Sequence, residues 1–145
     1  MTLSYFDTSI LLALLLEEEK QEEAFQYWQD TIRVSSILLK TEALTGLRRI
    51  HETHKQVLGK DWLNKKIKIL AEYLNEVNCM VVDRSVELEV FNRKELALCR
   101  SLDALHLATA LRFREINNNE ETNFYTFNKP LNNIAKRLKF RTNKV

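Results

Sequence analysis

The residues Leu3-Ser4-Tyr5-Phe6-Asp7-Thr8-Ser9 place a carboxylate directly after a short apolar run that is suited to a buried strand. A charge without a partner is costly in the apolar middle of a sheet, so Asp7 is predicted to lie where the strand ends. Helical character follows at once, and Thr8 or Ser9 is able to cap that helix. Because Asp is itself a preferred capping residue, Asp7 has two interpretations here, a helix cap or a ligand at the edge of the sheet.

Strands alternate with helices along the rest of the chain. The apolar and β-branched runs predict strands at 3–6, 33–36, 79–82 and 123–127 and near 140, and helical periodicity predicts helices at 20–31, 39–53, 60–74, 84–98, 101–114 and 130–138. This order is typical of an α/β protein, and we expect a three-layer α/β/α sandwich with a mostly parallel central sheet. A length of 145 residues, of which 45% are hydrophobic, fits a single domain over residues 1–145.

Polar side chains with oxygen atoms recur where strands are followed by helices. Glu42 follows the second strand, Asp103 lies in the first turn of the helix that begins near Ser101, and Asn128 closes the run Phe124-Tyr125-Thr126-Phe127. Parallel strands bring their carboxyl ends to one edge of a sheet, and ligands bind at that edge. Carboxylates gathered there repel one another unless a cation lies between them, and oxygen ligands suit Mg²⁺ or Mn²⁺. The pattern therefore predicts a divalent-cation site.

Each of these residues also has an ordinary structural explanation. Asp103 can be a carboxylate that the dipole of its helix favours, and Glu42 can be an exposed residue of a helix face. Asn128 can be part of a turn into the last helix, since Asn before Pro is typical of turns. His106 is one helical turn after Asp103, close enough to touch it, but a lone histidine on a packed helix is more often structural than chemical. Only the joint pattern favours a chemical site.

Charge is unevenly distributed, although the net charge is only +2. Glutamates are concentrated at 17–23, whereas lysines and arginines are concentrated at 48–68 and 136–144. Solvated helix faces are the ordinary explanation of such clusters. Beside an acidic pocket, the same clusters would form the basic surface on which a nuclease holds phosphates.

The composition argues against several classes of protein. The chain has 2 glycines, Gly46 and Gly59, and neither lies in a glycine-rich loop, so no nucleotide cofactor of the P-loop or dinucleotide-binding type is expected. The longest wholly apolar run, from Ile10 to Leu16, is too short to span a bilayer, and no membrane association is expected. The first residues lack a basic region with a cleavage site, so a cytoplasmic location is expected.

Together these residues resemble the PIN-domain family, and within it the VapC-type toxins of bacterial toxin–antitoxin pairs. The matching segments run through the whole chain: 5–9, Thr41-Glu42 in a helix that also carries Arg48-Arg49, 102–110 and 124–131. The most specific of them is Leu102-Asp103-Ala104-Leu105-His106-Leu107-Ala108-Thr109-Ala110, and Asp7-Thr8-Ser9 is the next most specific.

The resemblance implies a PIN-like α/β/α domain and an endoribonuclease that depends on Mg²⁺ or Mn²⁺. It also implies a homodimer and inhibition by a cognate antitoxin protein that inserts a segment over the active site. Asp7, Glu42 and Asp103 fall on the acidic positions of the family. Asn128 departs from the pattern, because many members carry Asp there, and this removes charge from one metal ligand.

The chemistry of phosphodiester hydrolysis agrees with these positions, since a divalent ion can activate water and hold the phosphate. We expect Asp7 and Asp103 to be the main metal ligands and Glu42 to bind a second metal or orient the attacking water. Supporting roles are expected for the other candidates, with Asn128, Thr126 and Ser9 around the metal and Arg48, Arg49 and Arg100 on the RNA backbone.

Two other functions remain open at this point. A PIN-like module that has lost ligands would bind RNA or a protein without cutting, and Asn128 is the only residue that supports this alternative. A different metal-dependent phosphotransferase on a doubly wound sheet would commonly carry a second Asp soon after the first. Asp7 is followed instead by Thr8-Ser9-Ile10-Leu11, which argues against that class.

Overall fold

Strands and helices alternate along the chain in the computed structural model, which describes residues 1–145. The five strands are β1 (Leu3–Phe6), β2 (Ile32–Ser36), β3 (Asn78–Met80), β4 (Thr122–Tyr125) and β5 (Arg141–Thr142). The eight α-helices are α1 (Thr8–Leu15), α2 (Gln21–Trp28), α3 (Leu38–Thr53), α4 (Lys55–Leu58), α5 (Lys60–Leu74), α6 (Arg84–Asn92), α7 (Ser101–Ile116) and α8 (Lys129–Arg137), and a 3-10 helix covers Lys94–Leu98. The predicted α/β class is confirmed.

All strands are parallel and form one sheet in the order β3-β2-β1-β4-β5. β1 is the central strand, and its Tyr5 is aligned with Val34 of β2 on one side and with Phe124 of β4 on the other. The carboxyl ends of the strands therefore share one edge of the sheet. Asp7 follows β1 directly and lies in the middle of that edge.

A hydrophobic core covers each face of the sheet, because successive side chains of a strand point to opposite faces. Tyr5 packs with Phe124 and with residues of α6, α7 and α8. Phe6 packs on the other face with residues of α1, α2, α3 and α5. The sheet is thus the middle layer of three. None of the helices combines the length and the apolar character that crossing a bilayer requires.

Two stretches of helix differ from the sequence predictions. The helix predicted at 84–98 is interrupted at Arg93, whose backbone is extended (φ −111°, ψ 100°), and the 3-10 helix follows it. The short helix α4 was not predicted. Gly59 separates α4 from α5 with a φ of +74°, a conformation that glycine adopts without the steric cost that a side chain brings.

Candidate functional site

A cavity of about 630 Å³ lies where the ends of the strands meet the helices that follow them. Its lining includes Glu42 of α3, Asp103 of α7 and Asn128 just before α8. The structure therefore brings together three residues that are far apart in the sequence. A slightly larger cavity of about 680 Å³, between the end of α1 and helices α3 to α5, contains none of the predicted site residues. The smaller cavity is the candidate active site.

Asp7 is held by two hydroxyl groups and is only 5% exposed. Its Oδ1 accepts hydrogen bonds from the backbone N–H of Ser9 at 3.0 Å and from the Ser9 hydroxyl at 2.6 Å, so Asp7 does cap α1. Its Oδ2 accepts a hydrogen bond from the hydroxyl of Thr126 at 2.5 Å. The two hydroxyls accept the backbone N–H groups of Phe127 and Asn128, and this directs their own protons to the carboxylate. Asp7 therefore caps α1 and also has its carboxylate held in one orientation. It is not among the residues that line the cavity.

Two of the acids have raised pKa values. Burial raises the pKa of Asp7, although the hydrogen bonds from Ser9 and Thr126 act in the opposite direction. The pKa of Asp103 is raised mainly by burial and also by the negative charge of Glu42, although His106 and Arg100 act in the opposite direction. Neither Asp7 nor Asp103 forms an ion pair with a lysine or an arginine. The negative charge of these two carboxylates is therefore not neutralised by a lysine or an arginine in contact with them.

Glu42 is hydrogen-bonded to a buried histidine, so its interpretation as an ordinary exposed residue is wrong. Its Oε1 lies 2.5 Å from Nε2 of His106, which is 1% exposed. The other ring nitrogen of His106, Nδ1, lies 2.7 Å from the hydroxyl of Tyr5. Sequence spacing placed His106 next to Asp103, but its hydrogen bonds go to Glu42 and Tyr5. Burial raises the pKa of Tyr5 well above its ordinary value, so its hydroxyl keeps its proton.

The other predicted polar residues have different surroundings. Asn128 is exposed, and its Oδ1 accepts a hydrogen bond from the N–H of Leu131 at 3.2 Å, so it caps α8 while it lines the cavity. Arg48 and Arg49 are exposed on α3 and do not line the cavity. Arg100 is exposed and does line it. Of the three arginines, only Arg100 lies beside the acids.

The N-terminus of α7 opens into the same cavity. Arg100 occupies the cap position and Ser101 is the first helical residue, and no side chain caps this helix. The free backbone N–H groups and the positive end of the helix dipole suit a phosphate group. Together with Arg100 they give the cavity a cationic side next to its acidic side.

Asn143 holds the backbone of Thr126 through two hydrogen bonds of its side chain. Its side-chain Oδ1 accepts a hydrogen bond from the N–H of Thr126 at 3.1 Å, and its Nδ2 donates to the C=O of Thr126 at 2.8 Å. Asn132 donates to the backbone C=O of Asn143 at 2.8 Å. The side chain of Asn143 thus satisfies the backbone N–H and C=O of Thr126, as a neighbouring strand would. No motif or periodicity in the sequence indicates this role of Asn143.

Replacing Asn143 by Ala is expected to lower the free energy of unfolding by about 2 kcal/mol, because it leaves the buried N–H and C=O of Thr126 without partners. Urea unfolding measures the loss. Asn133→Ala is the matched control, since Asn133 is an exposed asparagine of α8. Equal stability of the two variants would contradict the role assigned to Asn143.

The donor set of the site fits a divalent cation. No three His, Cys, Asp or Glu side chains lie close enough together to hold a metal ion without other ligands. Mg²⁺ does not require such a group, because it keeps several waters and is commonly bound through one or two carboxylates. No hydrogen bond contributes to the pKa of Asp103, and Glu42 uses only Oε1 in its contact with His106. Both residues therefore retain carboxylate lone pairs for a cation.

Comparison with known proteins identifies a family and similar solved structures. The sequence profile of the family described as "PIN domain" matches residues 4–136. A solved structure described as a toxin-antitoxin complex from Klebsiella pneumoniae has a TM-score of 0.58 and 17% sequence identity to this chain, and the alignment covers 86% of each chain. At that identity, the similarity concerns the fold. No curated protein matches the sequence.

Proposed function

The chain belongs to the PIN domain family, and on this premise we propose that it is a VapC-type toxin that cleaves RNA with Mg²⁺ or Mn²⁺. The observation that carries the proposal is the composition of one cavity. Glu42 and Asp103 line it together with Arg100 and the uncapped N-terminus of α7. Uncompensated carboxylates suit a divalent cation, whereas the helix end and an arginine suit a phosphate. A phosphodiester substrate meets both needs.

We assign the direct binding of the ion to Asp103 and Glu42, the two carboxylates that line the cavity, and we assign to Asp7 a contact with the ion through water. A bound divalent ion would supply the activation of water and the stabilisation of charge on the phosphate oxygens. Ser9 and Thr126 keep Asp7 in one orientation through their hydroxyl hydrogen bonds. Such fixed geometry favours the reaction, because the groups do not have to be ordered again during each turnover.

The remaining groups of the cavity would position the substrate. Arg100 and the backbone N–H groups at the start of α7 are proposed to hold the phosphate that is cleaved. Glu42 is proposed to orient the attacking water through the carboxylate oxygen that His106 does not use. Asn128 contributes a neutral oxygen where other family members carry an acid, and its cap of α8 already uses that oxygen.

We also propose a cognate antitoxin protein as partner, a homodimer as the assembly and the cytoplasm as the location. The description of the similar solved structure as a toxin-antitoxin complex supports the antitoxin. The homodimer rests on the family resemblance. One PIN-like domain over residues 1–145 is part of the same proposal, since strands from Leu3 to Thr142 belong to one sheet.

Cleavage of several RNAs by the purified protein, with Mg²⁺ or Mn²⁺ and with EDTA, tests the proposal. Glu42→Gln is expected to lower the rate about 10²-fold or more, the range in which a positioned acid–base group contributes. Glu52→Gln is the matched control, because Glu52 lies on the same helix, is exposed and pairs only with Lys55. Cleavage that persists in EDTA, or that falls equally in both variants, would contradict the assignment.

A binding module without catalysis is the second candidate, and the hydrogen-bonded Asn128 is the observation that favours it. Thermal unfolding with Mn²⁺ separates the two, since a ligand that binds only the folded state stabilises it by about 2.7 kcal/mol at 100 times its Kd. Stabilisation by Mn²⁺ together with cleavage supports the nuclease. RNA binding with neither effect supports the module.

A further inference from the structure

We propose that His106 is a positioning residue that fixes the orientation of Glu42, and that Tyr5 in turn fixes which nitrogen of His106 carries the proton. The inference rests on the proposed function, because it assigns Glu42 to the reaction. It adds a hydrogen-bonded chain, Tyr5–His106–Glu42, that reaches from the central strand to the cavity.

The hydrogen-bonded chain Tyr5–His106–Glu42 joins three different elements of the fold. Tyr5 belongs to β1, His106 to α7 and Glu42 to α3, and the ring of His106 lies between the other two side chains. Tyr5 and His106 are 0% and 1% exposed, and the side chain of Glu42 is 23% exposed. The hydrogen-bonded chain therefore begins in the core and ends at the wall of the cavity. Glu42 is its only member in contact with solvent.

The partners of His106 determine where its proton lies. An ionised carboxylate only accepts hydrogen bonds, so Nε2 of His106 must carry the proton that faces Glu42. In a neutral imidazole, Nδ1 is then an acceptor, and the hydroxyl of Tyr5 is a suitable donor to it. Every polar atom of the ring is thus paired.

The hydrogen-bonded chain leaves one carboxylate oxygen of Glu42 free to bind a water or an ion in the cavity. Oε1 is used by His106, and Oε2 has no hydrogen-bond partner in the protein. A free glutamate samples several rotamers, and fixing it has an entropic cost that a preformed hydrogen bond removes in advance. A buried histidine needs a hydrogen-bond partner at each ring nitrogen, and here the partner of Nε2 is a carboxylate at the wall of the cavity. The pairing therefore indicates that His106 acts through Glu42.

Two substitutions separate positioning from core packing, because they keep a polar group at different distances from the backbone. His106→Gln retains an N–H donor at the ε position and can still reach Glu42. His106→Asn retains a polar group only at the δ position, near Tyr5. We expect kcat for RNA cleavage to fall about 10–100-fold in the Asn variant, the usual effect of losing a group that orients a ligand, with little change in KM. The Gln variant is expected to recover most of that loss.

The kinetic comparison has clear contrary outcomes. Equal kcat values for the Gln and Asn variants, or a loss in both that follows their melting temperatures, would overturn the proposal. His54→Asn is the matched control, because His54 is exposed and lies outside the cavity. It is expected to leave kcat unchanged.

Nitrogen-15 NMR of the histidine rings tests the chain without any assay of activity. The protein has 3 histidines, so comparison with the His54→Asn and His106→Gln variants assigns the signals of His106. We expect a proton on Nε2, the nitrogen that faces Glu42, and Tyr5→Phe is expected to weaken this preference. A ring that carries its proton on Nδ1 alone would overturn the proposal. If the protein cleaves no RNA, the proposed function fails, and the NMR result still decides whether His106 holds Glu42.

Discussion

Replacing Asp7 by Asn is expected to lower RNA cleavage by about 10³-fold while it raises the melting temperature of the metal-free protein. Activity falls because metal binding contributes several kcal/mol to the stabilisation of charge, and each 1.36 kcal/mol corresponds to about tenfold in rate. Stability rises because Asn keeps the Oδ1 that caps α1 and removes a buried charge, and we expect this gain to exceed the loss of the hydrogen bond from Thr126. A gain of about 1 kcal/mol would raise the melting temperature of a domain of this size by roughly 3–5 °C.

The dependence on pH follows from the raised pKa of Asp7. A carboxyl group whose pKa is higher in the folded than in the unfolded chain weakens the fold as the pH rises from about 3.9, the unfolded value, through the folded value. The advantage of Asp7→Asn is therefore expected to be largest at neutral pH and to shrink on acidification. Thermal unfolding in EDTA over a series of pH values measures it.

Asp83 provides a control with the same local geometry. Its Oδ1 accepts hydrogen bonds from the N–H of Ser85 at 2.9 Å and from the Ser85 hydroxyl at 2.6 Å, as Asp7 accepts them from Ser9. Asp83 is exposed, however, and the hydrogen bond from Ser85 lowers its pKa. Asp83→Asn is expected to keep full cleavage and to gain no stability. A rise in melting temperature in both variants would show that burial of Asp7 is not the cause.

Replacing Phe124 by Ala is expected to lower the free energy of unfolding by about 3–5 kcal/mol, the usual cost of removing a buried aromatic ring. Phe124 is 0% exposed on β4, stacks on Tyr5 with 5.1 Å between ring centroids and contacts Phe140 at 5.7 Å. The loss is large beside a total stability of about 5–15 kcal/mol for a typical domain. Urea unfolding of the purified variant measures it.

The same truncation at Phe91 is the control. Phe91 lies on α6 and is 86% exposed, so Phe91→Ala is expected to change the free energy of unfolding by no more than about 0.5 kcal/mol. Comparable losses in the two variants would mean that the packing of Tyr5 and Phe124 does not dominate the core on their face of the sheet.

Local patterns predicted most of the fold, because a strand or helix with a clear apolar face is recognisable from its own residues. The strand 3–6 and the helix 60–74 have the predicted bounds. The interruption at Arg93 has no local signal, since arginine is compatible with a helix. The interruption depends on the tertiary structure, in which Leu96 of the following 3-10 helix is buried in the same core as Tyr5 and Phe124. Local propensity does not report such a contact.

The site was predictable only as far as topology places residues at one edge of the sheet. Parallel strands explain why Glu42, Asp103 and Asn128 line one cavity. The partner of His106 was not predictable, because helical spacing points to Asp103 while the hydrogen bond joins residues 64 positions apart. Asn143 was missed for the same reason, since its role depends on Thr126, which lies 17 positions earlier.

The pairing of β1 with β4 determines when, during synthesis of the protein, Asp7 gains its contact with Thr126. The hydrogen bond between Thr126 and Asp7 joins residues 119 positions apart. At about 5–20 residues per second, a ribosome needs roughly 6–24 s to extend the chain from one to the other. Throughout that interval Asp7 is outside the ribosome, or still within its exit tunnel, without the hydroxyl that orients it. If the protein is the proposed nuclease, a nascent chain is therefore expected to be inactive until almost all of it has been made.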